Sequence, residues 1–182
     1  LLSVVIEPNI DVSEQFDLSK IASLSVMDTL FYLGLAPKIK WPNDILIRKK
    51  KISGILIDNI VSGNRITHSI IGVGLNVNQV SFNDYLPKAT SLRLEFGKKN
   101  ILEDIKNLLL NNIANRLKSY RLGLNFDKEY LSDLYKKDRS ALFSSSYETF
   151  DGIIRGVSKS GLLIVETNGY LKYFDLKEIK MI

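Results

Sequence analysis

Residues 39–78 decide the fold, and they read IKWPNDILIRKKKISGILIDNIVSGNRITHSIIGVGLNVN. The stretch contains runs rich in Ile, Val and Leu that are typical of β-strands, at Ile39–Ile47, Ile52–Val61 and Arg65–Val77. The basic residues 48–51 join the first two runs, and the turn sequence Ser62-Gly63-Asn64 joins the second and third. Strands joined by such short connections pair antiparallel, so this stretch predicts an antiparallel sheet.

The segments on either side of this stretch predict the helices that cover the sheet. Apolar residues three or four apart predict a buried helix over Asp17–Leu33, which ends at Gly34. The same spacing predicts a long helix over Ile101–Tyr120 and a shorter one over Asp127–Lys137. Leu1–Ile6 predicts a further strand, and residues 79–97 predict an irregular loop.

The C-terminal residues change to short strands separated by turns. These strands are expected at Tyr147–Val157, Leu162–Glu166 and Tyr170–Phe174. The sequence therefore predicts an α+β protein with two domains. Residues 1–138 would form a mainly antiparallel sheet with helices packed on one side, and residues 139–182 a small SH3-like β-barrel.

Composition excludes several classes of protein and of site. The 182 residues are 45% hydrophobic and 25% charged, which is typical of a globular chain. They include no cysteine and one histidine, which excludes a disulfide scaffold, a thiolate zinc site, a Cys nucleophile and a multi-histidine metal site. No apolar run approaches the ~18–20 residues of a membrane span. We expect a soluble, cytoplasmic protein with no membrane partner.

The net charge of +5 is modest and spread along the chain. It permits an anionic ligand such as a nucleotide, but it gives no argument for nucleic acid.

The first chemically suggestive motif is Lys40-Trp41-Pro42-Asn43-Asp44. A proline breaks a strand, and Asn and Asp then tend to hydrogen-bond the neighbouring backbone. One interpretation is a bulged turn around a core tryptophan. The other is that Asn43 and Asp44 present an amide and a carboxylate to a ligand.

The second motif begins at Lys51, which precedes Ile52-Ser53-Gly54-Ile55-Leu56-Ile57-Asp58. Arg48, Lys49 and Lys50 are interpreted as a solvated hairpin tip. Lys51 borders the strand itself, where it could lie over a groove floored by Gly54 and bind a carboxylate or phosphate. The alternative is a lysine that extends into solvent beside a bulge glycine.

The third motif is Gly72-Val73-Gly74-Leu75-Asn76-Val77-Asn78. Two glycines two residues apart leave one face of a strand bare, with room for a flat or apolar ligand. Neither a third glycine nor a following helix is present, so this is not a dinucleotide-binding fingerprint. The two asparagines could bind phosphate or metal-bound water, or simply end the strand.

In this order and spacing, the three motifs resemble those of the biotin protein ligase (biotin–[acetyl-CoA carboxylase] ligase) family. The loop Leu86-Pro87-Lys88-Ala89-Thr90-Ser91-Leu92 and the C-terminal strands through Lys177-Glu178-Ile179 are also similar to it. The resemblance implies a class II synthetase-like catalytic core. It also implies ATP-dependent conversion of biotin to biotinyl-5′-AMP, followed by transfer to a lysine of a biotin carboxyl carrier protein domain of acetyl-CoA carboxylase or a similar carboxylase. Mg²⁺ would be required, and a homodimer is allowed.

The resemblance also implies roles for individual residues. Lys51 would be catalytic and would contact the biotin carboxylate and the α-phosphate. Asp44 would be the second catalytic residue, near the phosphates and the incoming lysine, and a candidate Mg²⁺ contact. Of the remaining residues, those that would contact biotin are Gly54, Leu56 and Gly72. Those that would contact the nucleotide are Asn43 and Asn76.

One departure from the family pattern concerns the region upstream of Leu1. The Gly-Arg-Gly-Arg-type loop that folds over the adenylate, and a Ser/Thr-containing biotin segment, precede the strand with which these residues begin. We therefore expect the chain alone to be a weak or inactive ligase whose first strand leaves an apolar edge unpaired. Two other interpretations stay open, a lipoate ligase relative and a non-catalytic binding or interaction module with the ligase fold.

Overall fold

A computed structural model describes residues 1–83 and 88–182. The first sheet has six strands in the order β1-β6-β5-β4-β3, with β2 also paired to β6, and every pairing is antiparallel. Its strands are β1 (Leu2–Ile6), β2 (Ile10–Asp11), β3 (Pro37–Lys40), β4 (Asp44–Ile47), β5 (Lys50–Ser62) and β6 (Arg65–Leu75). The helices are α1 (Gln15–Tyr32), α2 (Leu92–Phe96), α3 (Leu102–Arg121) and α4 (Asp127–Ser132).

The helices cover one face of this sheet. Helix α1 is buried on nearly all sides because it lies between the sheet and α3, and its Leu18, Ile21 and Leu30 have no exposed surface. Helix α3 buries only one stripe, formed by Ile105, Leu109 and Ile113. This arrangement confirms the predicted α+β architecture with helices on one side, and it leaves the opposite face of the sheet uncovered by helices.

The C-terminal residues form a second antiparallel sheet of five strands in the order β10-β9-β8-β7-β11. Its strands are β7 (Ser140–Ser145), β8 (Thr149–Val157), β9 (Leu163–Thr167), β10 (Tyr170–Phe174) and β11 (Ile179–Met181). The strand content is consistent with an SH3-like module, and the division at residue 138 stays a prediction. The two sheets meet where the Trp41 indole N–H donates to the Gly161 carbonyl at 2.9 Å. Gly161 has φ +96, and a Cβ there would lie 2.7 Å from the Phe16 ring, so only glycine fits this junction.

Three sequence predictions require correction. Residues 92–96, predicted as irregular loop, form α2, because the Ser91 hydroxyl accepts from the Leu94 amide and Gly97 ends the helix at φ +70. The shorter helix ends at Ser132 rather than Lys137. Strand β7 was missed altogether. Leu86 and Pro87 of the family-like loop lie outside the described residues.

In the described parts of the chain, no helix is long and apolar enough to cross a membrane.

Arg116 joins three helices at the side of the core. Its guanidinium donates to both Asp28 oxygens at 2.7 Å and to both Glu129 oxygens at 2.5 Å, and it lies 5.1 Å from the Phe126 ring centroid. Burial lowers the pKa of Arg116, but the hydrogen bonds that it donates to Glu129 and Asp28 outweigh the burial and raise that pKa overall. The side chain therefore stays charged and holds two carboxylates close together.

We expect Arg116→Met to destabilise the protein, because it leaves Asp28 and Glu129 facing each other without a cation. Removing one partner of a fully buried pair costs about 3–5 kcal/mol, and the partial exposure of both carboxylates should reduce the loss to about 2 kcal/mol. Urea denaturation measures it. Arg155→Met is the matched control, since Arg155 also bridges two carboxylates, Asp138 and Glu166, but on the surface. Equal losses in both variants would contradict this account.

Tyr130 is the largest fully buried side chain of the described residues, packed edge-on against Phe16 with ring centroids 5.5 Å apart. Its hydroxyl has no hydrogen-bond partner among the described residues. A buried hydroxyl without a partner costs free energy of folding. Burial also raises the pKa of the Tyr130 phenol.

We expect Tyr130→Phe to stabilise the protein by about 1 kcal/mol, because it removes an unpaired buried hydroxyl at almost constant volume. The difference in free energy of unfolding between Tyr130→Phe and wild type should widen as pH rises above about 10, the usual tyrosine pKa. There the unfolded wild type loses a proton that the folded state retains, so its free energy of unfolding falls. Urea denaturation at pH 7 and pH 10.5 checks both points. A destabilised Phe variant would show that the hydroxyl has a partner.

Candidate functional site

The uncovered face of the first sheet carries two adjacent rows of residues that contain three glycines. Strand pairing places Asp44, Gly54 and Gly74 side by side in one row. The next row contains Leu56, Gly72 and Ser3. The residues between them, such as Ile55 and Val73, point into the core. Three glycines in neighbouring positions therefore leave an open strip on the outer face.

A β-bulge in β5 brings Lys51 to this same face. Leu46 pairs with Lys51 while the adjacent Ile45 pairs with Ser53, so β5 contains one extra residue. In a regular strand, residues three apart point to opposite faces. The extra residue reverses this alternation, so that Lys51 and Gly54 lie on one face.

The backbone of Lys51 is fixed on both edges of its strand. On one side it pairs with β4. On the other, its N–H donates to the Lys88 carbonyl at 2.8 Å and its carbonyl accepts from the Thr90 N–H at 2.9 Å. The ammonium is thus carried by a backbone held in place from two directions.

Lys51 and Asp44 form a close ion pair on the open strip. The distance from Nζ to Oδ1 is 2.5 Å, and the side chains are 38% and 23% exposed. A Cβ at Gly54 would lie 3.0 Å from the Lys51 Nζ and 3.7 Å from the Asp44 Oδ1. The absence of a side chain at Gly54 therefore makes room for the pair, which remains accessible to a ligand.

Leu56 and Gly72 lie one row away from the ion pair. Leu56 is 65% exposed, which is unusual for a leucine in the middle of a central strand. A Cβ at Gly72 would lie 3.4 Å from the Leu56 carbonyl oxygen. Together they form a flat apolar surface directly beside a charged pair, which suits a ligand with an apolar body and an anionic end.

Asn43 and Asn76, the predicted nucleotide contacts, both hydrogen-bond the protein backbone. The Asn43 amide donates to the Ile55 carbonyl at 2.8 Å, and the Asn43 carbonyl accepts from the Ile55 N–H. The Asn76 amide donates to the Thr90 carbonyl at 3.0 Å. These contacts hold the turn before β4 and the segment before α2 in place, and the nucleotide role of both residues stays a prediction.

The predicted residues do not all border the same cavity. Asn43 and Leu56 border one of about 260 Å³, beside the edge of β5 and next to Trp41 and Gly161. Lys51 and Asp44 border another of about 210 Å³ that reaches the C-terminal sheet. Gly54 is paired with Asp44 and adjacent to Leu56 on the outer face, so it lies between the two groups.

The described residues contain no cluster of three or more His, Cys, Asp or Glu side chains that could hold a metal ion. Asp44 is the carboxylate of the open strip, and its Oδ1 is already engaged by Lys51. Such a site fits Mg²⁺ only as an ion that takes most of its ligands from water and phosphate oxygens, which is its usual habit.

Sequence reasoning missed some residues of the site. Gly74 was noted in its motif but not assigned, although it extends the open strip beyond Gly54. Lys49, interpreted as part of a solvated hairpin tip, borders the cavity beside Asp44. The signal for Gly74 was its even spacing from Gly72, whereas the position of Lys49 depends on the turn that follows β4.

Residues 1–76 match the model of the Biotin/lipoate A/B protein ligase family. A bifunctional ligase/repressor, BirA, of Bacillus subtilis (strain 168) is 30% identical over 189 residues, which cover 99% of this chain and 57% of that protein. A biotin–[acetyl-CoA-carboxylase] ligase of Mycobacterium tuberculosis (strain ATCC 25618 / H37Rv) is 40% identical over 84 residues, 44% of this chain and 29% of that protein. The chain therefore spans little more than half the length of the first of these relatives, and less of the second.

The fold agrees with these similarities. The structure of the biotin protein ligase from Aquifex aeolicus in complex with biotin and ATP matches with a TM-score of 0.77 at 23% identity, covering 99% of this chain and 76% of that one. The family match at residues 1–76 includes the three motifs as far as Asn76, and the Bacillus relative extends the similarity along the whole chain. The first 76 residues are therefore similar to the Biotin/lipoate A/B protein ligase family, and the chain as a whole is similar in sequence to a bifunctional ligase/repressor and in fold to a biotin protein ligase.

Proposed function

We propose that the protein activates biotin with ATP to give biotinyl-5′-AMP and pyrophosphate, and then transfers biotin to a lysine of a carrier protein domain. The observation that carries this proposal is the Lys51–Asp44 pair on a glycine-floored strip of exposed sheet. The relatives support it, since they include a biotin–[acetyl-CoA-carboxylase] ligase and a biotin protein ligase solved with biotin and ATP.

The strip suits the first half-reaction. An oxygen of the biotin carboxylate forms a bond to the α-phosphorus, and the bond from that phosphorus to the bridging oxygen breaks, so that pyrophosphate leaves with the electron pair. Two anions must approach each other for this to occur. The Lys51 ammonium is positioned to attract both, and such fixed charge is commonly the largest contribution to catalysis of this kind.

Asp44 suits the second half-reaction. The amine of the carrier lysine attacks the acyl carbon, AMP leaves, and the amine must lose a proton. Asp44 is a partly exposed carboxylate on the same strip, where it can orient the amine or accept that proton. Its ion pair with Lys51 fixes its orientation.

The apolar part of biotin would lie on Gly54, Leu56 and Gly72. The two glycines have no side chain that would occupy the space above the strands. Asn43 and Asn76, at the two ends of the strip, would contact the nucleotide. Asp44 would be the carboxylate that contacts Mg²⁺. When bound, this ion would neutralise part of the negative charge on the phosphates.

The partner would be a biotin carboxyl carrier domain of acetyl-CoA carboxylase or of a similar carboxylase. The sheet face is open enough for a protein-borne lysine to reach Lys51 and Asp44, since both are partly exposed. A homodimer is compatible with the fold and stays a prediction.

We expect Lys51→Met to weaken binding of a non-hydrolysable biotinyl-5′-AMP analogue by about 10- to 100-fold, the effect of losing one charged hydrogen bond of roughly 1.5–3 kcal/mol. Isothermal titration calorimetry measures this directly. Lys50→Met is the matched control, because Lys50 is the adjacent exposed lysine and borders neither cavity.

The proposed function would be overturned if wild type and Lys51→Met bound the analogue equally. Tighter binding of the corresponding lipoyl-5′-AMP analogue would instead favour lipoate as the substrate.

Two glycine variants distinguish the effect of the Lys51 position on ligand binding from an effect on protein stability. Gly54→Ala places a methyl 3.0 Å from the Lys51 ammonium, which must move, whereas the nearest atom to a methyl at Gly74 is a backbone oxygen at 3.7 Å. We expect both variants to fold with similar melting temperatures. Gly54→Ala should weaken analogue binding at least about tenfold, because the charged contact is displaced. Gly74→Ala should weaken it less. A larger effect at Gly74 would show that Lys51 position is not what limits binding.

A further inference from the structure

A short segment before α2 takes the place of a neighbouring strand beside Lys51. Strand β6 ends at Leu75, and its pairing with β5 therefore reaches only as far as Ser53. Beyond that point residues 88–90 lie along the same edge of β5, with Ala89 bridged in parallel to Lys51. The N–H and the carbonyl of Lys51 both form hydrogen bonds with this segment.

The segment matters because little else holds the backbone of Lys51. The two-residue turn at Arg48 and Lys49 precedes it, and the β-bulge follows it directly. Between the turn and the bulge, the residues of β5 that pair with β4 are Lys50 and Lys51. A bulge interrupts the regular pairing of a strand. The position of the Lys51 ammonium therefore depends on the attachment of residues 88–90 as well as on β4.

Thr90 joins this segment to the rest of the site. Its N–H donates to the Lys51 carbonyl at 2.9 Å, and its carbonyl accepts from the Asn76 side-chain amide at 3.0 Å. Its hydroxyl donates to Glu95 Oε1 at 2.6 Å. The three polar groups of Thr90 thus contact the start of β5, the residue after β6 and helix α2. Thr90 is 1% exposed, so water has little access to these contacts.

Glu95 carries the acceptor of the Thr90 hydroxyl and is itself almost enclosed. Its side chain is 8% exposed, although glutamate is seldom buried without a partner. Its other oxygen lies 4.0 Å from the Arg48 guanidinium, but that side chain is 85% exposed, so solvent screens the pair. A hydrogen bond to a carboxylate is stronger than one between neutral groups. The bond from Thr90 is therefore the main contact that fixes residues 88–90 to α2.

We propose, on the basis of the function proposed above, that Thr90 and Glu95 are positioning residues of the site and act through Lys51. Their hydrogen bond holds residues 88–90 against the start of β5. The backbone of Lys51 is thereby fixed next to the bulge, and its ammonium stays beside Asp44 on the open strip. Thr90 and Glu95 perform this role without touching the ligand.

The test compares binding of the biotinyl-5′-AMP analogue by wild type and two threonine variants, measured by isothermal titration calorimetry. Thr90→Val removes the hydroxyl at similar volume. We expect it to weaken binding at least about tenfold, because the charged contact made by Lys51 is displaced. Thr90→Ser keeps a hydroxyl that can donate to Glu95, so we expect its affinity to stay within about threefold of wild type.

Thr167→Val is the matched control. Thr167 is also buried, and its hydroxyl donates to the Asp151 carbonyl at 3.0 Å within the C-terminal sheet. Both valine variants lose one buried hydrogen bond, so we expect both to lower the melting temperature. Only Thr90→Val should weaken analogue binding. Equal weakening in the two variants, or wild-type affinity in Thr90→Val, would overturn the positioning role.

A double variant tests whether Thr90 acts through Lys51. Once the ammonium is absent its position no longer matters. We therefore expect Lys51→Met/Thr90→Val to bind the analogue within about threefold of Lys51→Met alone. Losses that add in the double variant would mean that Thr90 affects the ligand by another route, and would contradict the role given to it here.

Glu95 provides a second pair of variants, which decide the matter even if Thr90→Val does not fold. Glu95→Ala removes the acceptor of the Thr90 hydroxyl, and we expect at least about tenfold weaker analogue binding. Glu95→Gln keeps an oxygen that can accept this bond and should restore most of the affinity. Circular dichroism checks the folding of every variant. A folded Glu95→Ala that binds as well as wild type would overturn the positioning role.

The single variant Lys51→Met separates failure of the positioning role from failure of the proposed function. If Lys51→Met weakens analogue binding and Thr90→Val does not, the positioning role alone is overturned. If wild type does not bind the analogue, or binds it no better than Lys51→Met, the proposed function is overturned, and with it the role of Thr90 and Glu95.

Discussion

The candidate site depends on one extra residue in β5. Without the bulge at Ile52 and Ser53, Lys51 and Gly54 would point to opposite faces of the sheet, and the ammonium would face the hydrophobic core. The pairing of β5 with β6 is regular from Ser53 to Ile60, so the glycine rows remain in register while Lys51 alone changes face. A single local irregularity in a regular sheet thus places a charge beside an apolar strip, and both half-reactions proposed here use that juxtaposition.

The sheet and its main helices were predictable from sequence because they follow hydrophobic periodicity and turn chemistry. The helix over Asp17–Leu33 and the hairpin at Gly63 and Asn64 are recognisable from local residues alone. Strand β7 was missed because its sequence SALFSS is mostly small and polar, and only Phe143 is buried. Helix α2 was missed although Ser91 and Gly97 are ordinary capping residues, because five residues are too few for periodicity to appear.

The site was only partly predictable, for a geometric reason. Gly54, Leu56 and Gly72 could be placed together because alternation along each strand fixes which face a residue occupies. The same alternation would place Lys51 and Gly54 on opposite faces, because they are three residues apart. The bulge that brings them to one face is not visible in the sequence. Lys88 and Lys136 could not be associated with Lys51 at all. They are distant in the chain and reach the cavity beside Lys51 only through the packing of the C-terminal sheet and the segment at 88–90 against the first sheet.

The open glycine strip has a consequence for how ligand preference could change in this family. At Gly54, Gly72 and Gly74 any substitution adds atoms, so mutation can only narrow the space above the strands. The one other apolar residue of the same two rows is Leu56, where a smaller residue would widen that space. Substitution can therefore reduce the space for a ligand at the three glycines, and can increase it at Leu56. A chain that drifts by random substitution would more readily come to reject bulky ligands than to accept them.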